Sequence, residues 1–160
     1  MAGLTIRTVP DPVLRVVCDP VTSFDAALAS LSEAMLTAMY AAPGRGLAAP
    51  QVGKTCRLFV TDTGWKDGTP TPRVFVNSEI VTVSDSMAAH AESCLSIPGA
   101  VSRIARPAEV RLRWQDLEGI RREADFAEFD AACVQHERDH LDGVLCIDYP
   151  SLPDYPSLPE

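Results

Sequence analysis

The chain has 160 residues, 46% of them apolar, which suits one globular domain with a true core rather than a disordered chain. Fourteen Lys and Arg against 22 Asp and Glu leave a net charge of −8, which disfavours tight non-specific binding to nucleic acid. No stretch reaches the ~18 apolar residues of a membrane span, and residues 1–7 carry neither an apolar h-region nor a small-residue cleavage site, so a cytoplasmic protein is expected.

The five cysteines are odd in number and scattered, a poor disulfide framework that suits a reducing compartment. Cys18, Cys56, Cys133 and Cys146 read as small buried hydrophobes. The proline-rich opening, through Pro20, reads as extended chain with a turn. Residues 25–42 predict a helix, with Leu28, Leu31, Met35 and Met39 as its apolar stripe, Ser23 or Asp25 as its cap and Pro43-Gly44 as its stop. Residues 44–53 follow, with Gly44 and Gly46 permitting close backbone approach; without Gly-Lys-Ser/Thr this is not a phosphate loop.

Strands are expected at 57–61, 73–77 and 80–83, with a surface loop over 63–72 between the first two. Residues 109–115 alternate Val110, Leu112 and Trp114 against charges, and a turn at 117–119 leads into a partner strand over 120–125. A second helix follows. Phe129, Ala132, Cys133, His136 and His140 recur at helical spacing, with Asp125 and Glu128 as a capping start and Gly143 as a stop. The fold class is therefore α+β, mostly antiparallel strands packed around this helix over residues 1–148. Residues 149–160 read as a proline-rich extended tail, since the repeated Asp-Tyr-Pro-Ser-Leu-Pro (148–153, 154–159) is too short a period to pack on itself.

The last helix carries His136-Glu137-Arg138-Asp139-His140. Residues four apart share a helix face, so His136 and His140 can hold one divalent metal while Glu137 handles a proton. The alternative is two core histidines satisfied by backbone carbonyls. A catalytic site needs a third ligand, and downstream of His140 there is no histidine and no glutamate but the terminal Glu160. Cys94, in Glu92-Ser93-Cys94-Leu95-Ser96, is the better candidate. Two rivals stay open: a zincin-type peptidase with a downstream ligand, and a closed structural zinc site that recruits His90 as fourth ligand.

Here the chain resembles the peptide deformylases. Three motifs match in order: Gly44-Arg45-Gly46-Leu47-Ala48-Ala49-Pro50-Gln51, Glu92-Ser93-Cys94-Leu95-Ser96 and Gln135-His136-Glu137-Arg138-Asp139-His140-Leu141. The flanks agree as well, at Pro10-Asp11-Pro12, Val74–Asn77, Ile97–Gly99 and Arg106. The resemblance implies one divalent metal on Cys94, His136 and His140, with Fe²⁺ favoured and Zn²⁺, Ni²⁺ or Co²⁺ able to substitute. It implies Glu137 as general base, and the Gln51 amide with the Leu95 backbone N–H as oxyanion donors. It further implies that Gly44, Arg45, Gly46, Glu92, Ser93, Phe129 and Cys133 fall along the bound peptide and that Glu92 pairs with Arg106 to position the cysteine loop, the alternative being a surface ion pair worth under ~1 kcal/mol. The implied substrate is the formylmethionyl end of a newly made polypeptide, met near the ribosome exit by a monomer, with formate as product. Three departures stand out: Ser93 where the family has glycine, and Arg45 and His90 where apolar residues are usual. They motivate the alternative of a related hydrolase with a shifted N-formyl or N-acyl preference or weakened activity.

Overall fold

The computed structural model describes residues 3–152. Helix α1, Ala26–Ala41, begins where Asp25 accepts a hydrogen bond from the Leu28 N–H at 3.0 Å, and it buries Leu28, Ser32, Met35 and Met39 along one stripe. Strands β1 (Gly46–Ala48), β2 (Leu58–Thr61), β3 (Arg73–Val83), β6 (Glu109–Gln115) and β7 (Arg121–Ala127) form an antiparallel sheet in the order β1-β2-β3-β6-β7. Strands β4 (Met87–Cys94) and β5 (Ile97–Pro107) form a separate hairpin. Helix α2 spans Glu128–Leu141. Among the described residues no helix is long and apolar enough to cross a membrane.

Period-two alternation places the helices on opposite faces of the sheet. Leu58, Val60 and Val76 cluster with Met35 and Met39 of α1, whereas Phe59 and Phe75 cluster with Ala131, Val134 and Leu141 of α2. Phe59 and Phe75 stack at 4.6 Å between centroids, a pairing that adds about 1 kcal/mol beyond its burial. Both faces being covered, all four residues of β2 are buried.

The structure corrects several local expectations. Residues 73–83 are one strand, not two. Asn77 adopts a left-handed φ of 51° inside it, which asparagine tolerates, and the irregularity shifts the register against β6. Its side chain bonds the Val21 N–H and C=O, fixing the opening segment. That segment contains a short 3₁₀ turn, Pro12–Arg15, because proline suits a first helical position and Asp11 caps the Val13 N–H. Asp125 does not start α2: it stays in β7, ion-paired with Arg111, and the strand runs to Ala127 before the helix begins. Gly143 is the stop, at φ 73°, and a Cβ there would lie 2.6 Å from the Arg15 carbonyl oxygen. The loop over 63–72 holds a 3₁₀ turn, Trp65–Asp67, gathered around Asp62. The β4–β5 hairpin had no counterpart in the sequence reading. The second copy of the tail repeat lies outside the described residues.

Candidate metal centre and its cleft

Helix α2 and the hairpin converge on one point. The i, i+4 spacing puts the His136 and His140 rings on one face with centroids 5.1 Å apart. Cys94 ends β4, just before the two-residue turn at Leu95-Ser96 that joins it to Ile97. Its Sγ lies 3.4 Å from His140 Nε2, and one donor atom from each of Cys94, His136 and His140 falls within 4.8 Å of the others. Tetrahedral bonds of ~2.3 Å to sulfur and ~2.1 Å to nitrogen separate two such donors by ~3.6 Å, so the spacing suits a small divalent cation. His90 lines the neighbouring cleft but stands outside this cluster, and among the described residues no fourth His, Cys, Asp or Glu joins it.

Behind the ligands lies a buried chain of charge. Glu92 Oε1 accepts from His136 Nδ1 at 2.8 Å, which turns Nε2 toward the cluster. Arg106 grips Glu92 in a fork at 2.6 and 2.9 Å, and its third contact is Asp139 at 2.9 Å. Tyr149 donates its hydroxyl to the same Asp139 oxygen at 2.8 Å, and its ring lies 4.8 Å from the Arg106 guanidinium carbon. The Arg106 and Glu92 side chains are 5% and 6% exposed, so this is a buried ion pair and not a surface one. Burial pushes the Glu92 carboxyl up, yet the His136 and Arg106 hydrogen bonds hold it below its ordinary value.

Glu137 faces the cluster from the same helix, its Oε2 4.0 Å from His136 Nε2 and its Oε1 buried without a hydrogen-bond partner among the described residues. Burial raises its carboxyl to about 7, against the pull of the neighbouring His136. A carboxyl with that affinity can take or give a proton near neutrality. Gly46 makes room for it: a Cβ there would lie 2.5 Å from Glu137 Oε2. Gly44 likewise backs onto Leu95, with 2.7 Å from a hypothetical Cβ to Leu95 Cδ1. Gln51 is buried, its Oε1 accepting from the Ala48 N–H at 2.9 Å and its Nε2 lying 3.0 Å from Ser96 Oγ and 3.6 Å from Cys94 Sγ.

A cleft of about 480 Å³ opens onto this centre, lined by Gly44, Arg45, Gly46, Gln51, Lys66, His90, Ser93, Leu95, Phe129 and Cys133 among others. Ser93 is exposed in β4, paired with Val101, and its φ is not positive, so serine brings no backbone strain. Burial pushes the Cys133 thiol well above its usual value, which keeps it neutral. Phe129 is 38% exposed rather than buried in the helix stripe, and the Arg45 guanidinium lies over its ring at 5.2 Å. Sequence reasoning missed Ser96, Lys66 and Tyr149. Ser96 had a signal, two residues from Cys94; Lys66 had none.

The polypeptide deformylase family profile matches residues 4–154. A peptide deformylase of Afipia carboxidovorans is 47% identical over 149 residues, covering 93% of this chain and 87% of that one. One from Mesorhizobium japonicum is 46% identical, over 88% and 80% of the two chains. The chain belongs to the polypeptide deformylase family. Solved deformylase structures agree: that of Thermotoga maritima superposes with a TM-score of 0.90 at 38% identity, over 95% of this chain and all of that one. The Legionella pneumophila enzyme gives 0.88 at 38% identity, over 94% and 87%. Family membership makes the chain a deformylating hydrolase, and the Cys94–His136–His140 cluster is a group that could hold a metal ion.

Proposed function

We propose that this deformylase removes the formyl group from the N-terminal formylmethionine of new polypeptides through roles divided among the residues of the cleft. Cys94, His136 and His140 would hold one divalent cation, Fe²⁺ by family resemblance, with Zn²⁺, Ni²⁺ or Co²⁺ as substitutes. When bound, the cation polarises the formyl carbonyl and lets water supply a nucleophile near neutral pH. Glu137 takes the proton from the attacking water and returns it to the departing amine. Its buried Oε1 without a partner and its raised proton affinity support that role. Gln51 Nε2 and the Leu95 N–H donate to the oxygen on which charge develops; the Ala48 N–H on Gln51 Oε1 fixes which end of the amide points inward. Gly44, Gly46, the half-exposed Phe129 and the buried Cys133 at the cleft wall border the peptide, while Glu92, with both carboxylate oxygens engaged, acts by orienting His136. Formate and a free amine leave.

In this reading the enzyme works as a cytoplasmic monomer on chains emerging near the ribosome exit, with no direct hold on nucleic acid, as its charge of −8 suggests. Residues 1–148 form its domain and 149–160 its tail, although Tyr149 already belongs to the support of the metal centre. The observation that carries the proposal is the convergence of Cys94 with His136, His140 and Glu137 at the base of one cleft. A second reading, a shifted N-acyl preference, is favoured by Arg45, His90 and Ser93 sharing that cleft. Formate release from formyl-Met-Ala-Ser by anaerobically prepared Fe²⁺-loaded protein tests both. Brisk turnover supports the first reading; bound metal without turnover, alongside cleavage of another acyl group, supports the second.

A further inference from the structure

The cleft gathers basic side chains in a chain that is acidic as a whole. Most of its arginines are committed to carboxylates, among them Arg15, Arg57 and Arg111. Among the described residues, no carboxylate pairs with Arg45 or Lys66, and both line the cleft together with His90. Arg45 is held over the Phe129 ring, and its Nε is buried with no hydrogen-bond partner among the described residues. Lys66 is placed by its neighbour: Trp65 donates its indole N–H to the Gly44 carbonyl at 2.9 Å, which fixes the Trp65–Asp67 turn against the cleft wall. The two carboxylates lining the same space, Glu92 and Glu137, are buried at its base, and Glu92 is neutralised by Arg106. A protein of net charge −8 repels acidic peptides at long range. Cations without a carboxylate partner among the described residues therefore create a local reversal of sign along the cleft.

We propose that Arg45 and Lys66, with His90, form a subsite for a side-chain carboxylate in the residues just after the formylated one, so that the enzyme favours formyl peptides with an early Asp or Glu. The proposal rests on the deformylase reading above. A carboxylate entering the cleft meets a guanidinium already oriented by Phe129, so little side-chain freedom is lost on binding.

The test compares formyl-Met-Asp-Ser-amide with its near-isostere formyl-Met-Asn-Ser-amide, and the same pair with the acid at the third position, using Fe²⁺-loaded enzyme at low salt. Amidation removes the terminal carboxylate, and a free-acid arm measures what that group adds by itself. The expected result is a preference for Asp over Asn of about fivefold in kcat/KM at one of the two positions, carried by KM. The preference should shrink in 0.5 M salt and fall toward one in Arg45→Met and in Lys66→Met, the latter an exposed side chain whose loss leaves folding intact. Equal turnover of the Asp and Asn peptides at both positions, or a preference unchanged in both variants, overturns the subsite and leaves the deformylase reading standing. No formate from any peptide, with metal bound, overturns the deformylase reading and the subsite together.

Discussion

Tyr149 donates its hydroxyl to Asp139 at 2.8 Å, and through Asp139, Arg106 and Glu92 that contact reaches Nδ1 of His136, a candidate metal ligand. The start of the C-terminal segment therefore backs the candidate metal centre through a chain of hydrogen bonds. Residues that orient a metal-bound histidine typically account for 10–100-fold in affinity. Arg106→Met, which strands Glu92 in a buried position, is expected to weaken metal binding by about that factor and to destabilise the fold by about 3 kcal/mol. Tyr149→Phe leaves the Arg106 fork intact and should weaken metal binding by a few-fold, with the far-ultraviolet spectrum unchanged. Competition against a chelator of known affinity measures both; unaltered affinity in Arg106→Met would remove the chain from any role in holding the ligand.

The missing side chain at Gly46 is what lets Glu137 reach the centre. Adding a methyl group there drives into Glu137 Oε2, which must swing away. A displacement of about 1 Å in a catalytic group costs on the order of 100-fold in turnover. Gly46→Ala should therefore lose about two decades in kcat while retaining metal, and Glu137→Gln should do the same or worse. Metal content by emission spectroscopy beside a formate assay separates the two quantities. Full activity in Glu137→Gln would take the proton-transfer role from that residue.

Ser93 stands in an extended strand with no left-handed φ, so reverting it to glycine relieves no strain. Glycine in a strand interior instead costs about 0.5–1 kcal/mol. Ser93→Gly is expected to lower the melting temperature slightly. Any gain in turnover then reports room for the substrate rather than a relaxed backbone, and the ratio of kcat to KM across peptides of increasing side-chain size distinguishes the two.

The parts legible from sequence were those where a local rule agreed with the fold. Asp25, the Leu28–Met39 stripe and Gly143 mark helix ends by capping and left-handed backbone, and both operate over a few residues. The shared face of His136 and His140 was readable because residues four apart meet on a helix. Cys94 was named by the need for a third ligand and by family resemblance, since nothing local in Ala-Ala-His-Ala-Glu-Ser-Cys predicts a strand. That hairpin, β4–β5, is made by long-range pairing from Met87↔Pro107 inward and not by strong β-formers. The cap at Asp125 failed because Arg111, a cross-strand neighbour invisible to local reading, holds its carboxylate. Tyr149 was hidden for the same reason, its partners Asp139 and Arg106 being set by the tertiary fold.

Asp62 offers a pH test remote from the metal ligands. It is fully buried, and its carboxylate accepts from the Tyr40 hydroxyl at 2.6 Å and from the N–H groups of Gly64, Trp65 and Thr71. Burial pushes its carboxyl up, but these donors together hold it below the ordinary value. A lowered folded value means that the carboxylate contributes stability above the unfolded value of about 3.9, and that the contribution is lost as pH falls through the lower folded value. Asp62→Asn should therefore be less stable than the parent at pH 7, by about 1–3 kcal/mol for a charged acceptor with several donors. The gap should narrow as pH falls below about 4. Because Asp62 also shapes the turn that carries Lys66, the variant should lose part of any preference for acidic peptides. Urea unfolding of both proteins across pH 3–7 gives the first quantity; a gap that stays constant with pH would mean that the hydrogen bonds, and not the charge, carry the stability.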